Sequence, residues 1–166
     1  MSDRAVFCER LREAVDELEA SSHRFVEAVT SRDMGASDRA SIRGRQAIAS
    51  VCNLRNALDR GWLARDKGDL EVGHWLPDAS DAEWDDCFRD RHNAGLVPQS
   101  ERRPLPLPLR ELINKELHKQ DGGYRVVGPD HYLVLGGSRG RHRWLAEYRV
   151  ARLVDTCRGL LPQIEP

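Results

Sequence analysis

The stretch CERLREAVDELEASSHRFVEAV, residues 8–29, decides the fold. Cys8, Leu11, Val15, Leu18, Ser22, Phe25 and Val29 recur at alternating steps of three and four. With 3.6 residues per turn, that spacing lays them along one side of a long helix as a heptad-like seam. Ser2 and Asp3 supply an N-cap ahead of it. Residues 31–37, SRDMGAS, hold the glycine and polar residues of a helix-to-helix turn. A second helix is predicted from about Asp38 to Lys67, with Ile48, Val51, Leu54, Leu58 and Trp62 facing the first and Gly68 placed to end it. Two such helices form an antiparallel hairpin. Three heptads are short for an extended coiled coil, so the pattern predicts a helical bundle, closed by later helices or by a second copy of the chain.

At 166 residues the chain suits one domain with a sizeable core better than two, so residues 1–166 are expected as one compact unit. A composition of 40% hydrophobic and 32% charged residues is that of a soluble globular protein. No apolar run approaches the length of a membrane span, which excludes such a span, and no membrane is expected among its partners. The opening MSDRAVFCERLREAV lacks the uninterrupted apolar segment of a secretory signal, so a cytoplasmic location is expected. Cys8, Cys52, Cys87 and Cys157 are scattered without a C-x-x-C pair, which argues against a zinc knuckle or redox pair. The first, second and fourth of these fall on predicted apolar helix faces and read as small core hydrophobes. Cys87 follows Asp85 and Asp86, whose charges oppose a thiolate.

Residues 1–100 carry 14 Lys+Arg against 19 Asp+Glu, a balance of −5, whereas residues 101–166 carry 12 against 8, a balance of +4. The C-terminal part is the basic one, and it offers either a solvated face or a surface for an anionic partner. Ser80 followed by Glu83 reads as a capping box that opens a short helix through DAEWDDCFRDR, ending near Gly95. Asp81, Glu83, Asp85 and Asp86 fit no recognised cation loop, and His74, Cys87 and His92 have no zinc-ligand spacing, so no metal is expected. The segment SERRPLPLPLREL reads as an extended connector until Pro108 opens a helix in its first turn, running to His118. The runs YRVVG, HYLVLGG and RHRWLAEY read as three strands of a small meander over 124–148, followed by a terminal helix from about Val150 to Leu161 stopped by Pro162. The predicted class is therefore mainly α: a helical bundle built on a long antiparallel hairpin (1–67), with short helices in 80–118, a small antiparallel β-sheet and a terminal helix.

Within LPLRELINKELHKQDGGYRVV, residues 107–127, Arg110, Asn114 and His118 are spaced four apart and share a helix side, while Leu109, Leu112, Ile113 and Leu117 cover the neighbouring one. A row of guanidinium, amide and imidazole suits a phosphodiester: Arg110 to hold the phosphate, Asn114 to orient it or the ribose, and His118 to exchange protons near neutral pH. RNA, with its built-in 2′-hydroxyl nucleophile, is the natural substrate. The residues INKELH resemble the R-N-x-x-x-H signature of the HEPN superfamily, small helical-bundle proteins of prokaryotic toxin and defence systems. That resemblance implies a metal-independent endoribonuclease whose composite site forms on dimerisation. Asn114 and His118 match its asparagine and histidine, while Ile113 stands in the place of its arginine. A second near-match, RNALDR, has Arg55 and Asn56 in place and Arg60 where the histidine belongs.

The glycine-rich turn GGSRGRHRW offers Arg139, Arg141 and Arg143 as phosphate contacts beside Trp144, with Lys115 and Lys119 as further cations for nucleic acid. The turn lacks the lysine-threonine and strand-to-helix setting of a nucleotide cradle, so no cofactor is expected. The alternative reading is a noncatalytic module that binds a protein partner, a second copy or nucleic acid.

Overall fold

The computed structural model describes residues 2–89 and 104–164, in a chain that is mainly helical with a five-stranded antiparallel sheet toward its C-terminal end. Its contacts gather into two compact units, where the length alone suggests one. The first joins Met1–Leu70 to Val150–Pro166, and the second is the continuous segment Glu71–Arg149.

In the first unit α1 (Asp3–Ser31) starts where the Ser2 hydroxyl accepts from the Ala5 amide at 3.2 Å. It ends on Arg32, which takes the left-handed conformation (φ 60°), and Asp33 immediately N-caps α2 (Met34–Val51) by accepting from the Ala36 amide at 2.9 Å. The turn is thus made by Arg32 and Asp33, and Gly35 lies inside α2, which begins four residues earlier than its spacing suggests. Small residues explain the pairing of these helices. Ala14, Ser21 and Ala28 of α1 and Ser37, Ala40 and Ala47 of α2 are all buried, and a Cβ added to Gly44 would sit 3.7 Å from the Ser21 Cβ. Backbones can approach closely along such a stripe.

The expected continuous second helix is broken. After Val51 the amide of Asn53 bonds the Ser50 carbonyl and that of Arg55 bonds the Cys52 carbonyl, both at 3.1 Å, and α3 (Leu54–Asp59) sets off anew. Gly61 (φ 68°), not Gly68, ends it, with the Trp62 amide reaching back to the Ala57 carbonyl at 2.8 Å as in a Schellman closure. A 3₁₀ turn at Arg65–Asp69 follows. The terminal helix, named α6 below (Val150–Ile164), packs along α1. Leu153, Cys157, Leu160 and Ile164 are at most 2% exposed, and the Arg158 guanidinium spans Glu19 (2.8 and 2.7 Å) and Asp16 (3.0 Å). This pairing holds the Glu19 carboxyl below the usual range. Arg4 donates to the Ile164 carbonyl oxygen, and the helix runs through Pro162, whose missing amide costs a single bond within the last turn. The seam from Cys8 to Phe25 is therefore covered by α2 and α6 of the same chain, which removes the uncovered surface that argued for a second copy.

The second unit is a sheet of strand order β2-β1-β5-β4-β3, all neighbours antiparallel. The strands are β1 (Glu71–Pro77), β2 (Leu105–Pro108), β3 (Asp121–Val127), β4 (Asp130–Arg139) and β5 (His142–Arg149). The last three form the expected meander, joined by two-residue turns at Gly128 (φ 58°) and Gly140 (φ 64°). Two strands were not anticipated. β1 comes from EVGHWLP, and β2 from the supposed connector, where two prolines are tolerated because β2 lies at the sheet edge.

One face of the sheet carries α4 (Asp81–Arg89), opened by a reciprocal capping box: Glu83 accepts from the Ser80 amide at 2.7 Å and Ser80 from the Glu83 amide at 3.2 Å. Its Cys87 packs with Leu76, Val134 and Leu145, and its Trp84 and Phe88 cover Gly136. The end expected near Gly95 lies outside the described residues. The other face carries α5 (Leu109–His118), with Pro108 as N-cap rather than first helical residue.

Candidate functional site

α5 turns Leu109, Leu112, Ile113 and Lys115 inward, all buried. The consequence for the predicted row is direct. Arg110 and His118 are exposed and Asn114 is half-buried, so the three line the outer side of a helix packed on a sheet. That setting differs from the helical bundle the resemblance implies. Ile113, in the place of the family's arginine, is 3% exposed and belongs to the core.

Lys115 is not on a contact surface. It is 6% exposed, with Nζ 3.9 Å from the ring centre of Trp75 and 4.3 Å from that of Trp144. The register explains the cluster, because Trp75 pairs with Ala146 and Pro77 with Trp144, which places both indoles on the face beneath α5. Burial pushes its amine down to about 8, against the pull of the Glu111 carboxylate, which favours the charge. An observable titration follows. Indole emission should change through a transition near pH 8 in the native protein and stay flat there in Lys115→Met, as read by a fluorescence pH titration. A wild-type profile without that transition would place the amine in water.

Beside it, Glu116 accepts from the Tyr148 hydroxyl (2.5 Å) and from Lys119 Nζ (2.6 Å), which leaves Lys119 committed to an ion pair. Arg143 bonds Asp81 at 2.9 Å and lies over Trp84, and His142 faces Asp78 at 2.6 Å. Of the hairpin cations, Arg139 and Arg141 are exposed and pair with no described residue. Trp144 itself is buried and cannot stack on a base. Cys87 is inert: burial, with Glu147 close by, pushes its thiol up to about 12. Among the described residues no group of His, Cys, Asp and Glu is placed to hold a metal ion.

An opening lies in the first unit. A cleft of about 940 Å³ runs between α1 and the α2–α3 segment. Arg10 of α1 and Arg43 of α2 line it and pair with no described acid. Gln46, Ser50, Asn53 and Asn56 add carboxamides and a hydroxyl along the opposite wall. At one end Trp62 meets Phe7 edge-on at 5.4 Å, and the Arg60 guanidinium lies 5.0 Å from its ring centre. Asp3, Glu13 and Glu17 complete the lining, with Glu17 already bound to Arg24 at 2.7 Å. Asn56 and Arg60 belong to RNALDR, the second near-match, so that segment reaches the cleft while INKELH does not. Trp62 meets the first helix as expected, through Phe7, and also lines the opening. One signal in the sequence points to it: Arg43, Gln46 and Ser50 step by three and four along α2, a polar stripe on a single helix side, and Asn53 follows just past the helix end.

No family model, curated protein or solved structure matches the chain.

Proposed function

We propose that this protein is a noncatalytic RNA-binding module whose helical unit holds unpaired nucleotides in the cleft between α1 and α2–α3. The observation that carries the reading is the meeting there of Arg10 and Arg43, which pair with no described acid, with carboxamides and an indole. Arginines hold phosphate oxygens, carboxamides match the donor and acceptor edges of bases, and Trp62 with Arg60 offers a stacking surface. The carboxylates of Asp3 and Glu13 repel a densely charged duplex but accept from ribose hydroxyls and base amino groups. The HEPN resemblance fits this reading in a restricted form. Arg60 stands where that family has histidine, and a guanidinium stays charged throughout the neutral range, so it binds phosphate and cannot exchange protons.

The test is fluorescence anisotropy of labelled single-stranded RNA in chelator, with the RNA recovered on a denaturing gel. Intact RNA is expected, with Arg43→Glu weakening binding at least about tenfold and Arg43→Ala reducing the slope of log K against log salt by roughly 0.7. Equal affinity for wild type and Arg43→Glu sinks the proposal. Cleavage that disappears in His118→Ala would restore the ribonuclease reading on α5.

A further inference from the structure

Arg43 belongs to more than one opening. A second hollow of about 390 Å³ lies farther along the same two helices, and Arg43 lines both. Its walls are Glu27 and Ser31 of α1 with Arg39 of α2, closed by Arg24. Arg39 pairs with no described acid and lies four positions before Arg43, so the two cations follow one another along a single side of α2. The ends of the combined opening differ in kind. One has Trp62, Phe7 and the carboxamides of Asn53 and Asn56; the other has three arginines, a serine hydroxyl and the carboxylates of Glu27 and Asp33, without an aromatic ring.

Length sets what such an opening can hold. α2 has 18 residues and so spans about 27 Å at 1.5 Å per residue. At 3.4 Å per stacked nucleotide, or roughly twice that when extended, the span matches about four to eight nucleotides of one strand. Building on the RNA reading of the first hollow, we infer that both hollows form one track for a single strand of that length, with a base stacked at the Trp62 end and phosphates passing Arg43 and Arg39. Glu13 and Glu27, one in each hollow, accept from ribose 2′-hydroxyls, which makes RNA the preferred strand over DNA.

The experiment is an anisotropy series with fluorescein-labelled oligoadenylates of two, four, six, eight and twelve nucleotides, as RNA and as DNA, in chelator. Affinity is expected to rise about tenfold from the dinucleotide to the hexamer and to level off beyond the octamer, with DNA roughly fivefold weaker. Arg39→Glu should weaken the hexamer about fivefold more than it weakens the dinucleotide, and Arg39→Gln should give the smaller loss of a removed contact. Two results overturn the track while leaving the first hollow an RNA site: equal affinity for dinucleotide and hexamer, or an Arg39→Glu protein that binds both as wild type does. Absence of all RNA binding overturns both readings together. If light scattering gives twice 18.9 kDa and Arg39→Glu restores the single mass, the track is a self-association surface and the inference fails.

Discussion

Lys115→Glu unfolds the sheet unit, at an expected cost of about 4 kcal/mol or more. The wild-type ammonium lies between the faces of Trp75 and Trp144, where the ring quadrupoles attract a cation and repel an anion. A carboxylate there keeps the full desolvation cost, loses both ring contacts and lies one residue from the Glu116 carboxylate. Lys115→Met keeps the length of the side chain without its charge and should fold. The pH dependence separates these terms. The folded pKa of Lys115, about 8, lies below its unfolded value, so the unfolded state binds more protons between the two. The cost of the buried charge is fully present below pH 8 and is relieved as pH rises toward 10.5. Cys87 acts in the opposite sense from pH 9 upward, because its folded value near 12 makes the unfolded state lose protons first. The relief is therefore to be read between pH 8 and 9, by urea denaturation followed through indole emission. A Lys115→Glu protein within about 1 kcal/mol of wild type would show that the amine is not enclosed.

Gly73→Ala should detach β1 from the sheet, at a cost of about 3 kcal/mol or more. A Cβ at this position would sit 2.3 Å from the Glu147 carbonyl oxygen and 2.8 Å from the Tyr148 Cβ, both on the neighbouring strand. The first of these is backbone and cannot swing aside. Gly73 also marks the place where the register between β1 and β2 shifts, as glycine commonly does at a close approach. Because β2 is held in the sheet by β1 alone, loss of one pairing takes both strands. Hydrogen exchange should show early opening at residues 71–77 and 105–108 while β3, β4 and β5 remain protected; uniform protection in the variant would refute the clash.

The parts that were legible in the sequence are those governed by local rules. The Ser2 cap, the Ser80–Glu83 box and the three strands of the meander each follow from a few adjacent residues. β1 escaped because EVGHWLP is short and contains a glycine and a proline, and its strand character depends on β5 as a partner. β2 escaped because proline signals a connector unless an edge position is known. The α1–α2 contact rests on alanines, serines and a glycine, which carry little hydrophobic signal individually. Lys115 read as a surface cation because its spacing on α5 does not reveal what lies across the sheet. The cleft was hidden for the same reason: its walls come from two helices, and only the α2 side left a stripe.

The first unit is discontinuous, since residues 71–149 come between its helices and α6. This imposes an order on synthesis. At about 5–20 residues per second, the ribosome needs several seconds to pass from the end of α3 to the start of α6. During that interval α1 has α2 beside it but bears the bare apolar patch that Leu153, Cys157 and Leu160 will later cover, whereas all strands of the sheet emerge together as one uninterrupted stretch. The sheet unit can mature on the nascent chain, while the helical unit, and with it the cleft, waits for α6 to be made.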